Sequence, residues 1–242
     1  MTGPQQLPLP LPARPALGRE DYFVSPANAM AVAMIDTCDS WSGGKLLLIG
    51  PEGAGKTHLA HVWAAETRAK VVSARDLDKA DIPALAEGPV CIEDLDEIAG
   101  DATREQQAFH LHNLTLANRH ALLVTAAMPP ARWGLALPDL QSRMEGTQSV
   151  TLGPPDDALL AALLAKLFAD RQIVPARAVI PYLVRHMRRS FDTAARVVAA
   201  LDAAALSARK PVTQPLAAAA LAEIHAGFDE TPRDMSLKSC RD

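Results

Sequence analysis

The sequence predicts an α/β fold, a parallel five-stranded sheet layered between helices and followed by a small unit built of helices alone. Three observations carry that prediction. Gly50-Pro51-Glu52-Gly53-Ala54-Gly55-Lys56-Thr57 fits G-x-x-x-x-G-K-[ST] and lies between an apolar run of strand length, Lys45–Ile49, and a helical stretch at 58–67. Short apolar runs then alternate with helical or loop segments as far as residue 152, as strand–crossover–strand units do. After Gly153-Pro154-Pro155 the pattern is helical throughout.

The glycine-rich stretch carries the chemistry. Its glycines let the backbone curl so that successive amides make an anion-binding nest at a helix N-terminus. Gly50, Pro51, Glu52, Gly53, Ala54, Gly55, Lys56, Thr57 and His58 are therefore the expected phosphate-binding set. Lys56 is placed to reach the β- and γ-phosphates and the Thr57 hydroxyl to meet Mg²⁺. A nucleoside di- or triphosphate, ADP or ATP, is the expected ligand.

Composition narrows the class. Hydrophobic residues make up 49% of the 242 positions, enough for a substantial core. The net charge of −4 disfavours a protein that grips nucleic acid by bulk electrostatics. Cys38, Cys91 and Cys240 are unclustered and lack metal-ligand spacing, which reads as reduced thiols. No secretory signal is evident, and no apolar run approaches the roughly 20 residues of a membrane helix. A cytoplasmic protein without membrane contact is expected.

Each element follows in turn. Residues 1–16 read as an extended tail, because Pro4, Pro8, Pro10, Pro12 and Pro15 exclude helix and favour polyproline II. Leu7, Leu9 and Leu11 either lie along the next domain or are displayed for a partner's groove, where a stiff peptide loses little entropy on docking. A helix is expected at 29–38. Lys70–Ser73 is a second strand, followed by loop and helix over 76–87. A third strand, 90–94, ends in two acids, Glu93 and Asp94. The fourth, 121–125, ends at Thr125, and 148–152 is the fifth.

In the helical part Asp156 reads as the N-cap of a first helix, with Leu159, Leu160, Leu163, Leu164, Leu167 and Phe168 as its apolar stripe. A second helix carries Val179 to Met187, a third is capped by Ser190, and a fourth opens at Thr213-Gln214-Pro215. The pairs His58/His61 and His110/His112 lack a third metal ligand; the first reads as structural or phosphate-adjacent and the second as structural.

Several of these stretches together resemble one family, the AAA+ module of the bacterial replication initiator DnaA. The segment Tyr22-Phe23-Val24-Ser25-Pro26-Ala27-Asn28 is similar to its F-V-V-G-x-x-N, and Lys56-Thr57-His58-Leu59-Ala60-His61 to its K-T-H-L-x-H. Phe109-His110-Leu111-His112-Asn113 resembles F-H-x-x-N, and Leu137-Pro138-Asp139-Leu140-Gln141-Ser142-Arg143 its box VII. The resemblance implies an AAA+ base over 17–155, a helical lid over 156–226 and a tail over 227–242. It implies that Phe23, Val24 and Asn28 border the adenine, that Glu93 and Thr57 hold Mg²⁺, and that Asp94 polarises water. It puts Thr125 at sensor I, Arg189 at the sensor II arginine with Arg188 one residue out of register, and Arg143 at the arginine finger.

The departures point the same way. The acids run Glu93-Asp94 where the family usually begins with Asp, and Ala126-Ala127-Met128-Pro129-Pro130 replaces S-D-R-x-P. Both place the chain's own hydrolysis in doubt. The tail residues Gln6, Leu7, Leu9, Pro10 and Leu11 resemble the sliding-clamp-binding peptide of bacterial replication proteins. No room is left for the initiator's DNA-binding domain, so no sequence-specific DNA binding is expected. The combination resembles the Hda-type regulatory inactivators, whose partners are the DNA polymerase III sliding clamp and DnaA; self-association is left open. A helicase-loader-like ATPase and an adaptor that sequesters DnaA without chemistry are the other readings.

Overall fold

The computed structural model describes residues 23–208 and 210–229. Strands β1 (Lys45–Ile49), β2 (Lys70–Ser73), β3 (Val90–Glu93), β4 (Leu122–Ala126) and β5 (Ser149–Thr151) form one parallel sheet in the order β2-β3-β4-β1-β5. Helices α1 (Ala29–Asp36), α2 (Lys56–Thr67), α3 (Ile82–Leu85), α4 (Ala102–Ala117) and α5 (Pro138–Glu145) cover its faces. The α/β fold class with a parallel five-stranded sheet is as the sequence predicts.

A parallel sheet buried on both faces needs near-continuous apolar strands, and the strand parity here sorts them into two cores. Leu47, Ile49, Ile92 and Val124 join Leu111, Leu140 and Met144 of α4 and α5 on one face. Leu46, Leu48, Cys91 and Leu123 join Ile35 of α1 and Leu59, Val62 and Trp63 of α2 on the other. Trp41 and Trp63 stack at 5.4 Å within this second layer.

The boundaries differ from the periodicity in informative places. α2 begins at Lys56, two residues early, because the loop turns directly into the helix at Gly55, whose φ of 96° only glycine adopts readily. α1 stops at Asp36, where Thr37 caps it and a 3₁₀ turn follows at Cys38–Ser40. The segment 76–87 is a 3₁₀ stretch, Ala74–Lys79, and the single turn α3. β3 ends at Glu93, and β4 runs through Ala126, whose carbonyl accepts from Gly50 N.

Helices α6 (Asp157–Asp170), α7 (Val179–His186), α8 (Phe191–Ala208) and α9 (Gln214–Asp229) pack around Leu164, Phe168, Leu183, Val198 and Leu201. Asp156 caps α6 by accepting from Leu159 N at 2.8 Å. Among the described residues no helix is long and apolar enough to cross a membrane.

Candidate functional site

The glycine-rich loop stands at the C-terminal end of β1, between β4 and β5, where open α/β sheets offer their ligand crevice. Gly50 is held close to β5's exit: a Cβ there would lie 2.7 Å from the carbonyl of Leu152. Lys56 is buried, and its ammonium donates to the carbonyls of Gly50 at 2.8 Å and Pro51 at 3.3 Å. These hydrogen-bond partners are neutral oxygens, and a buried cation so placed favours an anion. The first amides of α2 have no partner within the helix and complete an anion-attracting terminus.

The two residues expected at a metal stand together. The Thr57 hydroxyl hydrogen-bonds the Glu93 carboxylate, and Glu93 Oε2 is 3.9 Å from His61 Nε2. Burial raises the Glu93 carboxyl above its ordinary range; His61, Thr57 and Lys56 oppose that shift, while Asp94 adds to it. Glu93 Oε1 is buried without a hydrogen-bond partner among the described residues. An unpartnered carboxylate oxygen beside a hydroxyl fits Mg²⁺, which takes one or two carboxylates and completes its shell with phosphate and water. Accordingly, no group of three or more His, Cys, Asp or Glu is needed, and among the described residues none is found.

Asp94 leaves the strand in the left-handed region, φ 54°, which re-aims it relative to Glu93. Its backbone N–H donates to Thr125 Oγ1 at 2.9 Å, so the fully buried Thr125 ties β4 to the acid pair through the backbone. Asp96, which the sequence did not single out, makes a second tie: its Oδ2 accepts from Ala127 N at 2.9 Å.

Asn28 is buried and commits both ends of its amide to the backbone. Its Nδ2 donates to Phe23 O at 2.9 Å and its Oδ1 accepts from Ser25 N at 2.8 Å. The turn so formed leaves Phe23 and Val24 about half exposed, at 49% and 45%. From the helical bundle, α8 meets the loop. Phe191 N donates to Gly53 O at 2.9 Å, a Cβ on Gly53 would strike Ser190 Oγ, and the Phe191 ring lies over Gly55 and 6.4 Å from the His58 ring. Arg189 is engaged just alongside, with Asp157 at 2.5 Å and the Pro155 carbonyl at 3.3 Å, so the loop contact belongs to its neighbours. Ser190 was legible as a cap; the contact that it and Phe191 make with the loop was not.

Arg143 lies elsewhere. It is exposed in the last turn of α5, and its backbone carbonyl accepts from Lys45 Nζ at 2.9 Å. Lys45 opens β1 whereas the loop follows its end, so some 13 Å of strand separates them. The residues Gln6, Leu7, Leu9, Pro10 and Leu11 lie outside the described residues.

The fold and this loop define a class: the α/β architecture with a parallel five-stranded sheet seen in the AAA+ domain of DnaA. The chain is similar to domain III of the Thermotoga maritima replication initiation protein DnaA, with a TM-score of 0.73 at 16% identity, over 88% of this chain and 98% of that one. It is similar to AMPPCP-bound DnaA from Aquifex aeolicus (TM-score 0.61, 18% identity, 73% of this chain), and to a DnaA bound to AMPPCP and single-stranded DNA (0.63, 18%, 77%). The chain spans 62% and 65% of those two. No family model matches the chain.

Proposed function

We propose that the chain is a regulator of replication initiation, a nucleotide-holding AAA+ module that lends Arg143 to the nucleotide site of DnaA. The observation that carries this reading is where Arg143 stands. It is exposed, and its helix is anchored at the end of β1 opposite the chain's own loop. A guanidinium so placed serves a neighbouring molecule's phosphates better than its own. An arginine supplied in this way stabilises charge on the transferring phosphoryl group and is worth about 10³–10⁵ in rate.

On this reading Lys56, the loop amides and His58 hold the phosphates of ADP or ATP, Phe23 and Val24 border the base, and Thr57 with Glu93 holds Mg²⁺. The metal would neutralise phosphate charge there. Arg189, on the base–lid junction, sets how the lid meets the nucleotide. The chain's own turnover is slow, because Thr125 is occupied by the Asp94 backbone and the loop after it lacks the family's acid and base. Gln6, Leu7, Leu9, Pro10 and Leu11 dock on the sliding clamp, which brings the module to DNA where DnaA is met.

The test is conversion of ATP-bound DnaA to its ADP form on clamp-loaded DNA. Wild type accelerates it, and Arg143→Ala leaves only the unstimulated rate. Undiminished stimulation by Arg143→Ala would overturn the proposal. Binding of DnaA with no ADP form produced by wild type would favour the adaptor, and rapid turnover by the chain alone would favour a helicase-loader-like ATPase.

A further inference from the structure

We infer that Lys45 and Glu105 are positioning residues that clamp the two ends of α5 and so fix where Arg143 stands. The inference rests on the reading of Arg143 given above and adds two residues that the motifs do not include.

α5 is only eight residues long, and a helix of two turns does not hold its shape or place unaided. Its N-cap, Leu137, supplies no side-chain cap. Glu105 of α4, fully buried, takes that role from outside. Its Oε2 accepts from Leu137 N at 2.6 Å, and its Oε1 accepts from Ala136 N at 3.0 Å and Gly100 N at 2.7 Å. At the other end the carbonyl of Arg143, one of the last-turn acceptors a helix leaves open, receives Lys45 Nζ at 2.9 Å and Thr147 Oγ1 at 2.7 Å. An acid at the N-terminal end and a cation at the C-terminal end both match the helix dipole.

Burial and the nearby Arg143 guanidinium both disfavour the charge on Lys45. The residue is half-buried, its other contact is His112 Nε2 at 3.3 Å, and among the described residues no carboxylate pairs with it. It also stands close enough to Arg143 for the two cations to repel. A cation kept there serves the Arg143 carbonyl. Leu140 and Met144 press α5 onto the sheet, but apolar contact is non-directional and lets a short helix slide. The two charged clamps at its ends, with the Gln141 Nε2 bond to the Pro130 carbonyl at 2.8 Å between them, oppose that slide. Catalytic groups need placement within about 0.5 Å, and a misplacement of about 1 Å can cost 10²-fold.

The experiment uses full-length protein and compares Lys45→Met, Lys45→Arg, Glu105→Gln and Arg143→Ala. Three quantities are read: the maximal stimulated hydrolysis of partner-bound nucleotide, the concentration giving half of it, and Tm. Lys45→Met is expected to lower the maximal rate at least tenfold with the half-saturating concentration and Tm unchanged, and Lys45→Arg to recover most of it. Glu105→Gln is expected to lower the maximal rate too. Because its amide NH2 faces a buried backbone N–H, it is expected to lower Tm as well, so the Tm criterion is read on Lys45→Met. A wild-type maximal rate in Lys45→Met beside an inactive Arg143→Ala overturns the inference and leaves the Arg143 reading standing. A fall in Tm that accounts for the lost rate overturns it in favour of general stability. Amide hydrogen exchange over 138–147 gives a readout that does not depend on Arg143's role. A rise of at least tenfold in Lys45→Met, with 56–67 unchanged, supports the clamp, and unchanged exchange overturns it.

Discussion

Glu93 combines two properties that pull in opposite directions. Its carboxylate is partly buried with one oxygen unpartnered among the described residues, which costs stability, and it stands where a cation beside Thr57 would satisfy it. Glu93→Gln is therefore expected to raise the Tm of the nucleotide-free protein while removing the benefit of Mg²⁺ for nucleotide affinity, by about tenfold or more. Scanning calorimetry and ADP titrations with and without Mg²⁺ would show both, and a lowered Tm with an intact Mg²⁺ effect would place the metal elsewhere. Such a residue is half legible in sequence. The pair Glu93-Asp94 at a strand end is visible as letters, but the left-handed turn at Asp94 and the Thr125 hydroxyl on its amide arise from backbone geometry that no side-chain pattern encodes.

The helix α6 begins on Asp156, whose carboxylate accepts from Leu159 N and the Ser25 hydroxyl, and so pins the turn that carries Phe23 and Val24 to the first lid helix. The Leu159 amide above all holds the Asp156 carboxyl below its ordinary value. A depressed carboxylate contributes stability that is present above the unfolded-state value and is lost as pH falls through the folded one. Asp156→Ala should then cost about 1 kcal/mol near neutral pH, the usual worth of an N-cap, and the gap to wild type should close in acid. Urea denaturation at pH 7 and through the acid range below the ordinary carboxylate value is the check; a gap that does not narrow as pH falls there would refute the capping account. Asp156 was readable from sequence because capping is local. Glu105 was not, because its partners Ala136 and Leu137 lie some thirty residues away and meet it only through tertiary packing.

Taken together, the sheet and the bundle meet at the loop. α8 rests on the loop through Phe191 N and Gly53 O, so a nucleotide in the loop meets both parts at once. Saturating the protein with ADP at about 100 times Kd should stabilise it by ~2.7 kcal/mol, a Tm rise of roughly 5–10 °C for a chain of this length. The glycine at that contact gives a further test. Gly53→Ala puts a methyl against Ser190 Oγ, which must displace α8, and it also strains a backbone at φ 73°. The expected result is at least tenfold weaker ADP binding in fluorescence titrations, with far-UV circular dichroism unchanged; wild-type affinity would mean that the loop does not need the lid. The strand–loop–helix core was legible because apolar parity and the loop motif are dictated by burial and phosphate chemistry. The lid's seat on the loop joins residues about 140 positions apart, and nothing local announces it.

Strand β1 has one more consequence. Its five residues bear the phosphate loop at one end and the lysine that holds the arginine helix at the other, and four of the five are buried. Close-packed interiors of this kind do not stretch or bend by degrees. On the proposed function, β1 is a strut of fixed length between the phosphate loop and the helix that carries Arg143. A ligand in the loop would then not be felt down such a strut as strain; a partner at Arg143 would sense it only as a change in how the whole body, lid included, is seated against it.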